Sequence, residues 1–321
     1  MGIVVVLGSL MTDLVARAPR LPHAGESLIG DDFSTFLGGK GINQAIAARR
    51  LGAEVTMVGR VGADTFGDAF FPVLAQEGIE STYVERDPTI GTGVALIVIA
   101  EDSGQNAIVA MPQANLAIPA STVDSALHAI LSRRTQPDEL TIFLAQCETN
   151  RESYLAGLQH ARAFGMLTIL NAAPIPREPL NDDVLALIDI LVVNEVEASA
   201  LARVQVTSAD TAQAAAMTLL ARGPQQVIVT LGVQGCLWSK REENTDAISH
   251  QFVPPFLVKA VDATAAGDTF CGALAAGLAS GIPIGDTMRR ASAASAITVT
   301  RRGATAAIPT AAEVEAFLKN L

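Results

Sequence analysis

The chain is poor in cysteine and in aromatic residues. Its 321 residues include three cysteines, Cys147, Cys236 and Cys271, which lie far apart and show no Cys-x-x-Cys spacing. Such a set indicates neither a disulfide framework nor a zinc site. Aromatic residues make up only 4% of the sequence, whereas hydrophobic residues make up 50%. Small and aliphatic side chains must therefore form the core, as is typical of helices packed on a parallel sheet.

Clustered positive charge and long membrane-like runs are also missing. The net charge is −11, and lysine and arginine occur in pairs such as Arg289-Arg290 and Arg301-Arg302. Nucleic acid is therefore not an expected partner. The uncharged stretch 269–285 is rich in glycine and alanine and contains Pro283, which predicts a buried helix and a turn, with no membrane span. Residues 3–7 are too short for a signal sequence, so a reducing cytoplasm is the expected location.

Hydrophobic segments alternate between strand and helix patterns along the chain. Strand patterns occur at 3–7, 55–58, 140–145, 167–170, 190–193 and 227–231. Helical patterns occur between them, at 42–50, 66–77, 121–131, 151–164 and 209–222. This alternation predicts an α/β fold, with a doubly wound, mostly parallel sheet covered by helices on both faces. The organisation expected is a single domain over residues 1–321.

Two segments interrupt this alternation. Residues 27–37 and 93–110 contain β-type side chains and turn residues with no helix between them. They predict a small antiparallel β lid set off from the main sheet, formed by residues at about 14–37 and 92–111.

A glycine-rich segment follows the first lid segment. Gly38, Gly39 and Gly41 surround Lys40 at the start of a predicted helix that contains Asn43. Glycines allow close approach of a ligand to the backbone, and the lysine supplies a cation. The spacing is not that of a Walker loop, and the first strand is not followed by a dinucleotide fingerprint. The alternative is an ordinary glycine-rich turn with a solvated lysine.

A second segment combines small residues with two carboxylates. Ala265, Ala266 and Gly267 precede Asp268, which is expected in the first turn of a small-residue helix whose pattern runs on from about 270 to 281. A predicted strand at 256–261 comes before this segment. Exposed backbone N–H groups at a helix start attract anions, and Asp268 could take a proton from an attacking hydroxyl. The alternative is that Asp268 only favours the helix N-terminus. The neighbouring glycine and Asp262 favour the catalytic interpretation.

Further polar residues follow the predicted parallel strands, at the edge where α/β sheets bind ligands. They are Asp13, Glu148, Asn171, Asn194, Glu197 and Thr230. Asn194 and Glu197 are three residues apart and could share water molecules around a phosphate-bound divalent cation. The same pair also fits a helix capping box, and the local sequence leaves both interpretations open.

The two glycine-containing segments resemble the two signatures of the ribokinase-like sugar kinases, the PfkB family. Residues 38–43 match the first signature and 262–268 the second, and the resemblance extends from 8 to 309. It implies ATP-dependent phosphorylation of a small sugar, with O5 of D-ribose as the expected acceptor. Another sugar, a nucleoside, or a non-catalytic sugar-binding role are the alternatives. A nicotinamide-dependent oxidoreductase is disfavoured because the dinucleotide fingerprint is missing.

The resemblance also implies residue roles. Asp268 is the implied catalytic base, and the backbone of Ala265, Ala266 and Gly267 the implied anion hole. The implied sugar-contacting residues are Met11, Asp13, Gly39, Lys40, Asn43 and Glu148. The implied nucleotide-binding residues are Asn194, Thr230, Gly232, Gly235, Gly267 and Ser292. Asn194 and Glu197 are associated with Mg2+ through water.

An activating K+ ion and a homodimer formed through the β lid are implied as well. The K+ positions are Asp262, Thr264, Thr298, Arg301 and Gly303. Three residues depart from the family pattern. Met11 stands where many members have an asparagine that touches the sugar, Ala307 replaces a serine that binds the monovalent cation, and Ser292 stands where a histidine or asparagine often borders the adenine.

Overall fold

A computed structural model describes residues 2–132, 140–242, 245 and 247–320. The strands begin and end as follows: β1 (Ile3–Leu7), β2 (Met11–Ala18), β3 (Asp32–Gly38), β4 (Glu54–Gly62), β5 (Glu80–Asp87), β6 (Gly93–Ala100), β7 (Asn106–Met111), β8 (Thr141–Gln146), β9 (Leu167–Asn171), β10 (Ile190–Asn194), β11 (Gln226–Thr230), β12 (Cys236–Arg241) and β13 (Ile248–Val253).

The helices connect these strands and cover the sheet. They are α1 (Lys40–Arg50), α2 (Thr65–Asp68), α3 (Phe70–Glu77), α4 (Ala120–Ser132), α5 (Arg151–Ala163), α6 (Asp182–Leu185), α7 (Glu195–Ala202), α8 (Ala209–Leu220), α9 (Ala266–Ala279), α10 (Ile284–Val299) and α11 (Ala311–Lys319). Within the described ranges, none of them combines the length and hydropathy that crossing a bilayer requires.

The main sheet has the strand order β13-β12-β11-β10-β9-β8-β1-β4-β5. The seven strands from β11 to β5 are parallel, and β12 and β13 add an antiparallel hairpin at one edge. The chain winds outward from β1 through β4 in one direction and from β8 through β9 in the other. The order therefore reverses between β1 and β8, and their carboxyl ends form the crevice where α/β sheets bind ligands.

Alternation of side chains along β1 divides the core into two layers. Val4 and Val6 pack with apolar residues of α1 and α9, whereas Val5 and Leu7 on the opposite face pack with α4 and α5. Both faces of the parallel strands are buried, so β1 is a continuous apolar run and β8 is apolar between its two buried polar ends, Thr141 and Gln146. The predicted α/β fold with helices on both faces is confirmed.

The second sheet has the order β3-β2-β6-β7 and is named the β lid below. Its outer pairs, β2–β3 and β6–β7, are antiparallel as predicted, whereas the central pair β2–β6 is parallel. The parallel pair arises because β2 leaves β1 and β6 leaves β5 at the same edge of the main sheet. The β lid therefore lies at the same edge of the main sheet as the crevice between β1 and β8.

The predicted strand at 256–261 is wrong. These residues follow Pro254 and Pro255, which lack backbone N–H groups, and they form no strand. The backbone N–H groups of Val261 and Asp262 instead donate to the carbonyl of Val299 at the end of α10.

Other boundaries also differ from the sequence-based expectation. The small-residue helix begins at Ala266, about four residues before the predicted pattern at 270, and Asp268 is confirmed in its first turn. The single helix expected at 66–77 is divided into α2 and α3. Strand β5 was not predicted, because its polar composition is that of a solvated edge strand.

Candidate active site

Asp268 lies in the first turn of α9. The preceding Ala265 has the left-handed φ of 61° and no side-chain cap. A left-handed residue followed by helical residues turns successive N–H groups toward one concave surface, and the first N–H groups of a helix have no intrahelical partners. A Cβ on Gly267 would meet no atom within 4 Å. The backbone at Gly267 is therefore open to an anionic group, whereas the N–H of Ala266 makes a long hydrogen bond of 3.3 Å to the carbonyl of Ala263.

Two amide side chains from α1 hold the Asp268 carboxylate. Asn43 Nδ2 donates to Oδ2 and Gln44 Nε2 donates to Oδ1, each at 3.0 Å. The carboxylate is nearly buried, with Asp268 6% exposed. Asn43 Oδ1 is also buried and lacks a hydrogen-bond partner within the described structure. An unpaired buried acceptor is costly, so it indicates a position where a ligand hydroxyl would donate.

Lys40 begins α1 beside the crevice between β1 and β8. Its backbone N–H donates to Glu148 Oε2 at 3.0 Å, and Ser9 Oγ donates to the same oxygen. The charge of Asp268 raises the pKa of Lys40; burial opposes this rise, and Glu148 and Glu197 add to it. The lysine is therefore a fixed positive charge among three carboxylates.

Close backbone packing brings α1 to this crevice. A Cβ on Gly41 would lie 2.4 Å from the carbonyl carbon of Gly8 and from the nitrogen of Ser9. Only glycine fits there, because real Cβ atoms do not approach other atoms so closely. The glycine-rich segment therefore serves helix packing as well as ligand approach.

Asp13 and Met11 lie on β2, where the β lid joins the main sheet. Burial, followed by the charge of Glu148, raises the pKa of Asp13 to about 6. Across the β2–β3 pair, a Cβ on Gly38 would lie 2.6 Å from Asp13 Oδ2. Met11 is buried and pairs with Gly38 in the strand register. The implied sugar-contacting residues thus line the base of the lid, with Gly39 as N-cap of α1.

Asn194 and Glu197 form a capping box at the start of α7. Asn194 Oδ1 accepts from the Glu197 N–H at 2.8 Å, and Glu197 Oε2 accepts from the Asn194 N–H at 2.9 Å. Burial raises the pKa of Glu197, and the hydrogen bond from Asn194 and the charge of Lys40 oppose that rise only in part. The capping interpretation is confirmed, whereas the Mg2+ association stays a prediction. The cap engages Oε2 of Glu197, so Oε1 is the oxygen that could bind water.

The implied nucleotide-binding residues lie around the next two strands. Thr230 pairs with Asn194 in the β10–β11 register, and its hydroxyl contacts the carbonyl of Val193 at 3.4 Å. Gly232 and Gly235 have φ of 51° and 101° and form the short turn into β12. Ser292 lies on α10, with its hydroxyl 3.6 Å from the Cys236 sulfur.

The implied cation positions form a loop next to α9. Asp262 Oδ1 accepts from the N–H of Thr264 at 2.9 Å and Oδ2 from the N–H of Gly303 at 3.0 Å. Burial pushes the pKa of Asp262 up, but these hydrogen bonds outweigh it and the pKa is lowered. The carbonyl of Thr298 accepts from the Arg301 N–H at 3.1 Å. A negative charge is therefore fixed beside the turn that precedes Asp268.

Comparison with known proteins agrees with this arrangement. A family described as "pfkB family carbohydrate kinase" matches residues 1–311. The chain therefore belongs to the pfkB family of carbohydrate kinases. It is 35% identical to a ribokinase of Haemophilus influenzae and 32% identical to a deoxyribokinase of Salmonella typhi, in each case with 98% of both chains covered.

A solved structure shares the same fold. The structure of Arabidopsis thaliana ribokinase in a complex with ribose and ATP has a TM-score of 0.88 with this chain. The two sequences are 29% identical, and 99% of each chain is covered. The family and the kind of enzyme expected from the two signatures, a phosphotransferase acting on a sugar hydroxyl, are confirmed.

Sequence reasoning did not identify Gln44 and Gln146 as parts of the site. Both are fully buried, and Gln44 contacts Asp268 directly. A signal for Gln44 is present in the sequence, because Gln44 and Asn43 are the two polar residues in the run from Ile42 to Ala48. A long polar side chain in such a run requires a buried partner.

Proposed function

We propose that this carbohydrate kinase transfers the γ-phosphoryl group of ATP to O5 of D-ribose and forms ribose 5-phosphate. The observation that carries the proposal is the Asp268 carboxylate, held by two amides beside an open helix N-terminus. A hydroxyl placed there would give its proton to Asp268 while its oxygen attacks phosphorus. Positioning and charge stabilisation supply most of the catalysis in phosphoryl transfer.

The chain's own residues would divide the work among binding, proton transfer and charge stabilisation. Asp13, Asn43 and Glu148 accept or donate hydrogen bonds to sugar hydroxyls, and the unpaired Asn43 Oδ1 suits this task. The N–H groups of the Ala265–Gly267 turn would stabilise charge on the phosphoryl group, and Lys40, which is assigned to the sugar, adds a positive charge near Asp268. Asn194, Thr230, Gly232, Gly235 and Ser292 are assigned to the nucleotide.

Mg2+ would neutralise charge on the nucleotide phosphates. In the described part of the chain, no group of three or more His, Cys, Asp or Glu side chains could hold a metal by itself. Mg2+ keeps several waters and binds through few carboxylates plus substrate phosphates, so Glu197 with water fits such a site. The relatives support ATP as the donor, since the Arabidopsis protein binds ribose and ATP.

The acceptor can be tested with purified protein. We expect the highest kcat/KM with D-ribose in a panel of pentoses, hexoses and nucleosides assayed with ATP and Mg2+, with ADP release as readout and phosphorus NMR to locate the phosphate. The panel includes 2-deoxyribose, because a deoxyribokinase is among the relatives and the Met11 thioether is a weak partner for a hydroxyl. If the protein phosphorylates none of these compounds, the result would favour the alternative of a non-catalytic sugar-binding regulator.

A nucleoside acceptor is disfavoured by the lid. The two aromatic residues of β3, Phe33 and Phe36, are 65% and 46% exposed. Because they are three residues apart on a strand, their side chains lie on opposite faces. At most one of them faces the cleft, so the lid lacks a paired aromatic platform for a base.

An activating K+ ion is proposed at the Asp262 loop. Its carboxylate supplies the main attraction, and the Ala307 side chain, which is fully buried, supplies no oxygen. We expect KCl to activate the enzyme relative to a bulky organic chloride at constant ionic strength. Ala307→Ser should lower the half-saturating K+ concentration about fivefold, equivalent to about 1 kcal/mol for one added oxygen contact. Equal rates in both salts would show that Asp262 is only structural here.

A homodimer formed through the β lid and a cytoplasmic location are also proposed. Phe33, Leu96 and Val109 lie on one face of the lid in the strand register and expose apolar surface, which a second lid could cover. Sedimentation of the protein with and without Val109→Lys would test the dimer. The three free cysteines are compatible with a reducing compartment.

A further inference from the structure

Gln44 lies between the proposed base and the centre of the sheet. Its amide nitrogen donates to Asp268 Oδ1 at 3.0 Å and to Asn171 Oδ1 at 3.1 Å, and its amide oxygen accepts from Gln146 Nε2 at 2.8 Å. Gln44 and Gln146 are fully buried, and Asn171 is 7% exposed. Both protons of the Gln44 amide and its oxygen are thus engaged by side chains from α9, β9 and β8.

The direction of this network is fixed by a backbone group. Asn171 Nδ2 donates to the carbonyl of Val192 at 3.2 Å, and a carbonyl can only accept. Asn171 must therefore present its oxygen to Gln44, and Gln44 must present its NH2 group. A reversed Gln44 amide would place oxygen against two acceptors and nitrogen against the donor Gln146. The two acceptors, Asn171 Oδ1 and Asp268 Oδ1, therefore fix the orientation in which Gln44 donates to Asp268, and Gln146 Oε1 is left without a partner among the described residues.

Asn43 and Gln44 hold the carboxylate in different ways. Asn43 keeps one free acceptor atom, Oδ1, for a ligand, whereas every polar atom of the Gln44 amide is engaged within the protein. The buried NH2 group of Gln44 therefore holds Oδ1 of Asp268 in one place. The plane of the Asp268 carboxylate is thus set before the substrate binds. Such preorganisation matters because small displacements of reacting groups cost large factors in rate.

We infer that Gln44 is a positioning residue, which orients the Asp268 carboxylate for proton transfer and is itself oriented by the buried Asn171. Gln44 is fully buried and acts through Asp268 without touching substrate. The inference rests on the proposed function, in which Asp268 is the base. The inference predicts that replacing Gln44 lowers kcat only while the base, Asp268, is present.

Gln44→Met keeps the length of the side chain and removes its hydrogen bonds. We expect kcat for ribose to fall about 10-fold to 100-fold, while the dissociation constant for ribose, measured by calorimetry, stays within about twofold. Gln44→Glu keeps the shape of the side chain and the acceptor for Gln146 but places an acceptor against Asp268 Oδ1. Its kcat should therefore fall at least as far as that of Gln44→Met. If Gln44→Met does not fold, as judged by circular dichroism and thermal unfolding, Gln44→Glu provides the same test.

Gln146→Met is the matched control. Gln146 is equally buried and belongs to the same network but does not contact Asp268, and Asn171 still orients Gln44 in this variant. Gln146→Met removes one of these hydrogen bonds whereas Gln44→Met removes three, so the control variant should destabilise the fold less and lower kcat by no more than about threefold. Equal losses of kcat in Gln44→Met and Gln146→Met would overturn the inference, because they would reflect general loosening of the core.

A double variant separates this inference from the proposed function. In the Asp268→Asn background, Gln44→Met should cause no further loss of kcat, because the group that Gln44 orients is already inactive. Losses that multiply would refute the positioning role. Near-normal kcat in Asp268→Asn would refute the base, whatever Gln44 does. A low kcat in Asp268→Asn together with normal kcat in Gln44→Met would refute only the role of Gln44.

Discussion

Asp268→Asn should lower kcat for ribose about 10²-fold or more, the usual scale for loss of a general base. The substitution keeps the shape of the side chain and removes the group that takes the hydroxyl proton. Gln44 cannot reverse its amide, so the new Asn oxygen must face Gln44 and the new NH2 group must face Asn43, whose free oxygen can turn to accept it. The fold and most of the ribose affinity should therefore survive, which calorimetry and thermal unfolding would measure.

Asp286→Asn provides the matched control for the helix-terminal interpretation. Asp286 is an acidic residue in the first turn of α10, as Asp268 is in α9, and it has no assigned role in the site. If Asp268 only favoured the helix N-terminus, both variants would lose a similar, small amount of stability and both would keep normal kcat. Near-normal turnover of Asp268→Asn would therefore contradict its assignment as the base.

The two signatures and the buried strands were predictable because their signals are local. Strand β1 and the centre of β8 are continuous apolar runs, since helices cover both faces of a parallel sheet. The first turn of α9 was predictable from the small residues before Asp268. The exact start of that helix was not predictable, because Ala265 and Ala266 have no side chains that mark a cap.

The network around Gln44 was not predictable from local patterns. Its partners Gln146, Asn171 and Asp268 are separated from it by 102, 127 and 224 residues. Only the sheet order, which places β8 and β9 beside each other under α1 and α9, brings them together. The sequence also did not decide whether Asn194 and Glu197 form a helix cap or a metal site. Both interpretations need the same two residue types at the same spacing, which is that of the capping box.

Asp13→Ala should raise the KM for ribose about tenfold to 100-fold and leave the KM for ATP nearly unchanged. Removing a hydrogen-bonding partner from a buried sugar hydroxyl costs about 1–3 kcal/mol, which corresponds to this range. Asp32→Ala, which removes an exposed carboxylate of the neighbouring strand β3, should leave both values unchanged. A rise in the KM for ATP instead would mean that the sugar and nucleotide subsites are reversed.

The raised pKa of Asp13 adds a pH test of the same contact. Its pKa of about 6, caused by burial and then by the charge of Glu148, means that the carboxyl becomes protonated as the pH falls through 6. A protonated carboxyl loses acceptor capacity, so the KM for ribose should rise below about pH 6 and be lowest above it. Asp13→Asn carries no proton to gain and should show a raised KM with no such inflection. An inflection that persists in Asp13→Asn would assign the titration to another group and remove Asp13 from the sugar contact.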